Sequence, residues 1–363
     1  MSIIGLHHIT IVTANAQRNV DFYAGTLGLR LVKKTVNFDD PTTYHLYYGD
    51  ATGAPGTAIT FFEWPGAARG RTGIGGTHHF ALTVPDREAL LKWKRYLNDR
   101  GVRTNGIFNR TYFESLYFTD PDGTIIELAT AGPGLTVDEA ADALGQSPVM
   151  PTPANTRAQR DDDAIAAETW PEAVAALTPD MALTRGMHHI SATSANINRT
   201  HRFYHDLLEL PLVKQTFNYD DPDMKHWYWS AGEGSSALVT YFEGNPGRTR
   251  RSSMGAGQTH HFALAVADDD AQLVWREKLV KAGLAVSPVR DRTYFKSIYT
   301  KDPDGHIIEI ATLPPGFMVD ESVETLGSGL MLPQAVEPQR AELERTLTPL
   351  NVPPYAFKPE VNE

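Results

Sequence analysis

The sequence predicts an α+β protein made of four β-α-β-β-β modules, and three observations support this prediction. The chain repeats itself at an almost constant offset. Each repeat contains strand-like and helix-like apolar patterns in the same order, and a His-His pair opens an apolar run four times. With 363 residues the chain is long enough for two ordinary domains or one large one.

The repeat is clearest in two pairs of segments. RTYFESLYFTDPDGTIIELAT (110–130) aligns with RTYFKSIYTKDPDGHIIEIAT (292–312), with 15 of 21 positions identical at an offset of 182. LVKKTVNFDDP (31–41) aligns with LVKQTFNYDDP (212–222) at an offset of 181. The chain is therefore a duplication of one ancestral half.

The repeat predicts four regions, namely a first half (1–132), a connector (133–185), a second half (186–313) and a C-terminal tail (314–363). The connector is rich in proline, alanine and acidic residues and predicts short helices. Its PGLTVDE motif returns in the tail as PGFMVDE, so the tail is expected to pack along the body as a second copy of the connector.

The first module begins with the strand-like run LHHITIVTA. A helix is predicted next, because Val20, Tyr23 and Leu27 share one face and Gly28 provides a stop. Three strand-like runs follow, LRLVKKTVNF, YHLYYGD and TAITFFEW. These elements give the order β-α-β-β-β.

The pattern restarts at THHFALTV. A helix is expected over DREALLKWKRYLNDRG, with Asp86 as N-cap, with Leu90, Trp93 and Leu97 facing inward, and with a glycine after its end. RTYFESLYFTD and GTIIELAT are predicted strands joined by a DPDG turn. The second half repeats both modules.

Composition excludes several classes of function. The net charge of -11 argues against a nucleic acid or an anionic membrane as partner, and no apolar run reaches 18 residues. The N-terminus lacks the pattern of a secretory signal, so a cytoplasmic location is expected. Because cysteine is absent, any metal must be held by imidazole and oxygen.

Eight of the 13 histidines form four doublets: His7-His8, His78-His79, His188-His189 and His260-His261. Since neighbouring residues of a strand face opposite sides of a sheet, each doublet is expected to place one imidazole on each side.

Glu127 and Glu309 lie inside apolar runs, where a carboxylate is costly unless it is paired or binds a metal. Two histidines and one carboxylate form the facial triad of non-haem Fe(II) enzymes. A hydrogen-bonded histidine and a salt-bridged glutamate are the simpler interpretations. The recurrence of both features at matching places favours a metal.

The stretches LHHITIVTANAQ, YHLYYGD, HHFALAV, RTYFKSIY and GHIIEIAT, with the GPGLTVDE-like tails, resemble the vicinal oxygen chelate superfamily over nearly the whole chain. In that superfamily βαβββ modules pair into mixed curved sheets that form metal-binding cups. More closely, the chain is similar to ring-cleaving dioxygenases of the hydroquinone 1,2-dioxygenase type and to their quinone-resistance, glyoxalase-like relatives. The resemblance implies that the first module pairs with the fourth and the second with the third, although pairing of neighbouring modules stays open.

The resemblance also implies a site. Its metal ligands would be His8, His261 and Glu309, and its catalytic residues would be His7, Thr10, His260, Arg292 and Tyr299. His7 or His260 would serve as acid or base, since imidazole titrates near neutral pH. Tyr299 would donate a hydrogen bond to a reacting oxygen, and Arg292 would hold negative charge on the substrate. A structural role for Tyr299 and Arg292 remains the alternative.

The duplication supplies a second set of positions equivalent to these ligands. In the dioxygenases that the chain resembles, this second set tends to be degraded, but here it is intact. His79, His189 and Glu127 would form a second triad beside Arg110 and Tyr117, with Ser191 in place of the threonine. A vestigial site and a second occupied metal site both remain open.

The function expected from the resemblance is ring cleavage of a hydroquinone or catechol with O2 at Fe(II), with Mn(II) or another divalent metal as an alternative. A glyoxalase-like lyase or isomerase and a non-catalytic quinone- or drug-binding protein are the competing hypotheses. The expected partner is a small aromatic substrate, and the sequence leaves a homo-oligomer open. His45 and His226 either line the cups or are structural, whereas a structural role is favoured for Glu63 and Glu243.

Overall fold

Two curved, mixed sheets of eight strands each contain nearly all of the apolar runs that the sequence identifies as strands. The computed structural model describes residues 2–38, 40–232 and 237–357. Four βαβββ modules in two homologous halves are present, so the predicted α+β fold class is confirmed.

The first sheet contains β1 (Gly5–Thr13), β2 (Arg30–Val36), β3 (Tyr44–Gly49), β4 (Ala58–Glu63), β13 (Thr259–Val266), β14 (Arg290–Asp291), β15 (Lys296–Lys301) and β16 (Ile307–Thr312). Their order across the sheet is β14-β15-β16-β13-β1-β4-β3-β2. Strands β1 and β13 are antiparallel at its centre, which joins the first module to the fourth.

The second sheet contains β5 (Gly76–Val84), β6 (Asn105–Asn109), β7 (Glu114–Thr119), β8 (Ile125–Thr130), β9 (Met187–Ser194), β10 (Leu212–Phe217), β11 (Lys225–Ser230) and β12 (Leu238–Glu243). Their order across the sheet is β10-β11-β12-β9-β5-β8-β7-β6. Strands β5 and β9 are its antiparallel centre, so the second module joins the third. The module pairing implied by the resemblance is therefore the one observed.

The helices lie outside the sheets. They are α1 (Ala16–Val20), α2 (Arg87–Asp99), α3 (Asp162–Ala167), α4 (Ile197–His201), α5 (Asp269–Lys281) and α6 (Arg340–Thr346), and α1 and α4 each continue into a π-helical turn, over Asp21–Thr26 and Arg202–Leu207. All except α3 bury side chains against the body. None of the helices in the described part of the chain is both long and apolar enough to cross a membrane.

Helix α2 follows its sequence prediction closely. The Asp86 carboxylate accepts from the backbone N–H of Ala89 at 3.0 Å, which caps the helix. Leu90, Trp93 and Leu97 are fully buried. The corresponding face of α1 and its π turn is buried too.

The connector and the tail each attach to a sheet through a buried lysine. Lys214 on β10 has a fully buried side chain that donates to Asp138 at 2.6 Å and to Glu139. Lys33 on β2 meets Asp320 and Glu321 of the tail, each at 2.5 Å. The described tail thus contacts the first sheet at Lys33.

Candidate metal centres

Each sheet brings two histidines and one glutamate together on its central strands. In the second sheet, β5 and β9 supply His79 and His189, and β8 supplies Glu127 beside β5. In the first sheet the matching positions are His8, His261 and Glu309. Both triads named from the sequence therefore assemble.

The ligand atoms of the second triad are close to equidistant. His79 Nε2 lies 2.9 Å from Glu127 Oε2 and 3.1 Å from His189 Nε2, and His189 Nε2 lies 3.2 Å from the same carboxylate oxygen. Ligands on adjacent corners of an octahedron with bonds of about 2.1 Å lie about 3 Å apart, so these three atoms fit one face of an octahedron.

The first triad has a similar but less regular geometry. Glu309 Oε2 lies 2.8 Å from His261 Nε2 and 3.4 Å from His8 Nε2, and the two imidazole nitrogens are 3.4 Å apart. All three side chains are buried. Both triads therefore offer the same three-atom donor set to a cation.

The prediction that each doublet places its two rings on opposite sides of the sheet was wrong. The Nδ1 atoms within each doublet are only 2.8–2.9 Å apart. The strand registers explain this, because the first histidine of every doublet is the extra, unpaired residue of a β-bulge. A bulge redirects a side chain that strict alternation would send to the other face.

The doublet contact sets the protonation of the metal-facing ring. His7 Nε2 lies 3.2 Å from the carbonyl oxygen of Thr312, which can only accept, so this nitrogen carries the proton. Burial lowers the pKa of His7 to about 3, so the ring is neutral and its Nδ1 accepts from His8 Nδ1–H. His8 Nε2 is thus left with a lone pair that faces the triad.

Two imidazole lone pairs and a carboxylate would repel one another in a buried space without a cation. The Oε2 atoms of Glu127 and Glu309 are buried and have no hydrogen-bond partner among the described residues. Burial acts to raise the pKa of each glutamate, but the neighbouring imidazoles hold it well below its usual range. Both donor sets therefore fit a divalent metal such as Fe(II), whose preferred ligands are imidazole and carboxylate.

A serine orients each glutamate. Ser115 on β7 donates to Glu127 Oε1, and Ser297 on β15 donates to Glu309 Oε1. These contacts leave Oε2 directed at the histidines. The sequence analysis missed both serines, although their recurrence within the 182-residue repeat was a usable signal.

We expect Ser115→Ala to weaken metal binding at the second triad by about 10- to 100-fold, the usual effect of losing a hydrogen bond to a ligand. Titration of the metal-free protein with Fe(II) or Mn(II) against a competing chelator measures this. Ser322→Ala is the control, because Ser322 is an exposed serine of the tail, and we expect it to bind metal as the unmodified protein does. Unchanged affinity in Ser115→Ala would show that the backbone alone orients Glu127.

The two triads differ greatly in the space around them. The second triad lies in a cavity of about 900 Å³, within the range of small-molecule sites. Aromatic side chains of Phe108, Phe113, Tyr117, Tyr228 and Phe242 line this cavity. An aromatic ring with substituents therefore has room beside this triad.

The first triad adjoins only about 20 Å³ of space, enough for roughly one water molecule. Phe38 lines this space, and the equivalent position of the repeat in the other site is Tyr219. The Tyr219 hydroxyl donates to the backbone oxygen of Arg110 at 2.6 Å, an anchor that Phe38 lacks.

The remaining predicted site residues occupy matching places. Thr10, Arg292 and Tyr299 line the small space beside the first triad, and Arg292 Nε donates to the Tyr299 hydroxyl at 3.3 Å. Arg110 and Tyr117 line the large cavity. Their roles in catalysis stay predictions.

Four histidines outside the triads were also considered as site residues from the sequence. His7 uses both ring nitrogens within the protein, which supports a positioning role for it. His260 contacts His261 through Nδ1, and its acid–base role remains a prediction. His45 and His226 line the two spaces, and each contacts a threonine and a tyrosine, so they are both cup-lining and hydrogen-bonded.

Two glutamates considered from the sequence have structural contacts. Glu63 accepts from the backbone N–H of Ala16 at 2.9 Å, and Glu243 accepts from that of Ile197 at 2.9 Å. Each carboxylate therefore anchors the start of a helix, as the sequence analysis favoured.

Comparison with known proteins places this architecture in a family. The family model for the Glyoxalase/Bleomycin resistance protein/Dioxygenase superfamily matches residues 5–128 and 186–310. MhqO of Bacillus subtilis (strain 168), named as a candidate ring-cleaving dioxygenase, is 36% identical over 351 residues, which cover 96% of this chain and 97% of that protein. The chlorohydroquinone/hydroquinone 1,2-dioxygenase of Sphingobium indicum is 31% identical over 346 residues, which cover 94% of this chain and 95% of that protein.

Solved structures agree with this placement. A crystal structure of a candidate dioxygenase from Bacillus subtilis aligns with a TM-score of 0.77 at 35% identity, covering 97% of this chain and 99% of that one. Glyoxalase I from Zea mays aligns with a TM-score of 0.55 at 16% identity, covering 85% of this chain and 92% of that one. At this identity the alignment shows only that the two proteins share a fold. The chain belongs to the Glyoxalase/Bleomycin resistance protein/Dioxygenase superfamily.

Proposed function

We propose that this protein is an Fe(II)-dependent ring-cleaving dioxygenase that acts on hydroquinone- or catechol-type diols, and that the ring is cleaved at the second triad. The observation that carries the proposal is the triad of His79, His189 and Glu127 at an aromatic-walled cavity of about 900 Å³. The similarity to dioxygenases over nearly the whole chain supports the reaction class.

When bound, Fe(II) in a triad with open positions would bring the ionised diol and O2 together. The protein residues supply position and charge around this centre. Burial, with Glu127 adding to it, raises the pKa of Tyr117 well above its usual value, so the phenol stays protonated and can donate to an anionic substrate oxygen. The Arg110 guanidinium lies 5.6 Å from the Tyr117 ring and offsets negative charge there.

His78, which contacts the triad residue His79 and lines the same cavity, can also hold the substrate. Burial, followed by the neighbouring His79, lowers the pKa of His78 to about 3, so its ring is neutral. If His78 Nδ1 accepts a hydrogen bond from His79 Nδ1–H, as His7 Nδ1 does from His8, the proton of His78 lies on Nε2. Because His78 lines the cavity, that N–H is available to a substrate hydroxyl oxygen.

Oxygen uptake tests the proposal directly. Protein loaded with Fe(II) under nitrogen and then exposed to O2 is expected to consume one O2 per hydroquinone, with both oxygen atoms in the ring-opened product. An oxygen electrode and product mass from ¹⁸O2 measure this. Turnover without O2 would favour a glyoxalase-like reaction, and absence of uptake with every diol would refute the proposal.

A further inference from the structure

The cavity of the second triad has a cationic wall away from the metal ligands. Four cationic side chains line the cavity, Lys94, Arg110, Arg157 and Arg160, against the carboxylates of Asp162 and Asp220 outside the triad. The triad's own Glu127 is directed at the two histidines. This cationic excess stands out in a chain whose net charge is -11.

Arg110 and Arg160 share one carboxylate. Arg110 reaches Asp220 Oδ2 at 3.4 Å, and Arg160 pairs with Asp220 Oδ1. The two guanidinium side chains are only 12% and 10% exposed, whereas Asp220 is 37% exposed. Arg160 also pairs with Asp162 at 2.6 Å, so among the described residues Asp220 is the one acid that pairs with the largely buried Arg110, and Arg110 shares it with Arg160.

Arg157 and Lys94 complete the wall differently. Within the described part of the chain, the Arg157 guanidinium forms no ion pair, and its side chain borders the cavity. Lys94 is buried and donates to the carbonyl oxygens of Ile165 and Ala166 at 2.7 and 3.3 Å, where α3 ends. Arg157 therefore retains donors for a ligand, and Lys94 adds positive charge while its hydrogen bonds go to neutral carbonyl groups.

The first triad lacks such a wall. Among the described residues around its small space, Arg292 is the one cation, and no residue of the tail reaches it. In contrast, the connector supplies Arg157, Arg160 and α3 to the second cavity. The cationic wall is thus a feature of one site and is not a consequence of the duplication.

We propose that the second cavity binds aromatic diols that carry an anionic side group, with a carboxylate on that group held by Arg110, Arg157 and Arg160 while the diol faces the triad. The proposal rests on the proposed function for the orientation of the diol. The guanidinium fork matches a carboxylate, and its donors are stronger in a partly buried site than in water. The connector thereby becomes a determinant of substrate choice.

Anaerobic binding separates this proposal from the catalytic one, because no turnover is needed. The probes are 3-(2,5-dihydroxyphenyl)propanoate and its methyl ester, which differ in charge but keep the same diol and a spacer that prevents chelation by the carboxylate. Titration calorimetry of metal-loaded protein under nitrogen is expected to show about 10-fold tighter binding of the acid, the effect of a charge-assisted hydrogen bond.

Arg157→Gln and Arg160→Gln are each expected to reduce this preference for the acid severalfold, whereas Arg157→Lys is expected to retain much of it. Arg345→Gln is the control, because Arg345 is an exposed residue of α6, and we expect it to leave the preference unchanged. Because Arg157 is exposed and unpaired in the described structure, its variants are expected to fold. Equal affinity for acid and ester in the unmodified protein, or a preference that survives both glutamine variants, would overturn the proposal. If the unmodified protein prefers the acid over the ester but consumes no O2 with any diol, the proposed reaction is rejected and the binding proposal stands.

Discussion

If the proposed function holds, the His189→Ala variant is expected to lose ring cleavage of a substituted hydroquinone by about 10³-fold or more, since a metal held by this triad would stabilise the transition state by several kcal/mol. His189 is one of two imidazole ligands in the triad that has a substrate-sized cavity. His261→Ala removes the equivalent ligand from the triad with about 20 Å³ of space, and we expect it to retain activity. Initial rates of O2 uptake measure both variants.

Metal content provides the control for this comparison. Each variant loses one of two equivalent donor sets, so elemental analysis of Fe(II)-loaded protein is expected to give about one fewer metal per chain in both. A variant pair with equal metal content but unequal rates assigns catalysis to one triad. An inactive His261→Ala beside an active His189→Ala would place the chemistry at the first triad instead.

The Lys214→Met variant is expected to lose about 3 kcal/mol of unfolding free energy, because removal of one partner leaves a buried charge uncompensated. The Lys214 ammonium is fully buried, and the Glu139 side chain that it contacts is only 8% exposed. Lys214 also donates to the carbonyl oxygen of Leu135 at 3.2 Å. Urea denaturation followed by tryptophan fluorescence measures the change.

Lys281→Met is the matched control, because Lys281 and its partner Glu277 are 73% and 66% exposed. Exposed ion pairs contribute little, so we expect its unfolding midpoint to stay close to that of the unmodified protein. If Lys214→Met is equally harmless, the connector is held by its other contacts, such as the hydrogen bond from Val149 N–H to the Gln215 carbonyl at 2.8 Å.

Much of the fold could be predicted because local patterns carry it. Leu90, Trp93 and Leu97 recur at helical spacing and are buried as expected in α2. In contrast, RTYF at 110–113 was expected to belong to a strand, but β7 begins only at Glu114. Thr111 has a φ of 67°, so the chain turns there before the strand, which the apolar pattern alone did not reveal.

The sequence by itself determined the module order and the six candidate ligand residues, because a duplication preserves its chemically demanding residues at a fixed spacing, whereas the pairing of strands β1 with β13 and β5 with β9 grouped them into two triads. His79, His189 and Glu127 could be named without coordinates for this reason. The tertiary structure decided the rest. A β-bulge turned both rings of each doublet to the same side, and the packing of the connector gave one triad a large cavity and a cationic wall. Bulges and cavities depend on contacts between segments far apart in the chain, and no local pattern encodes them.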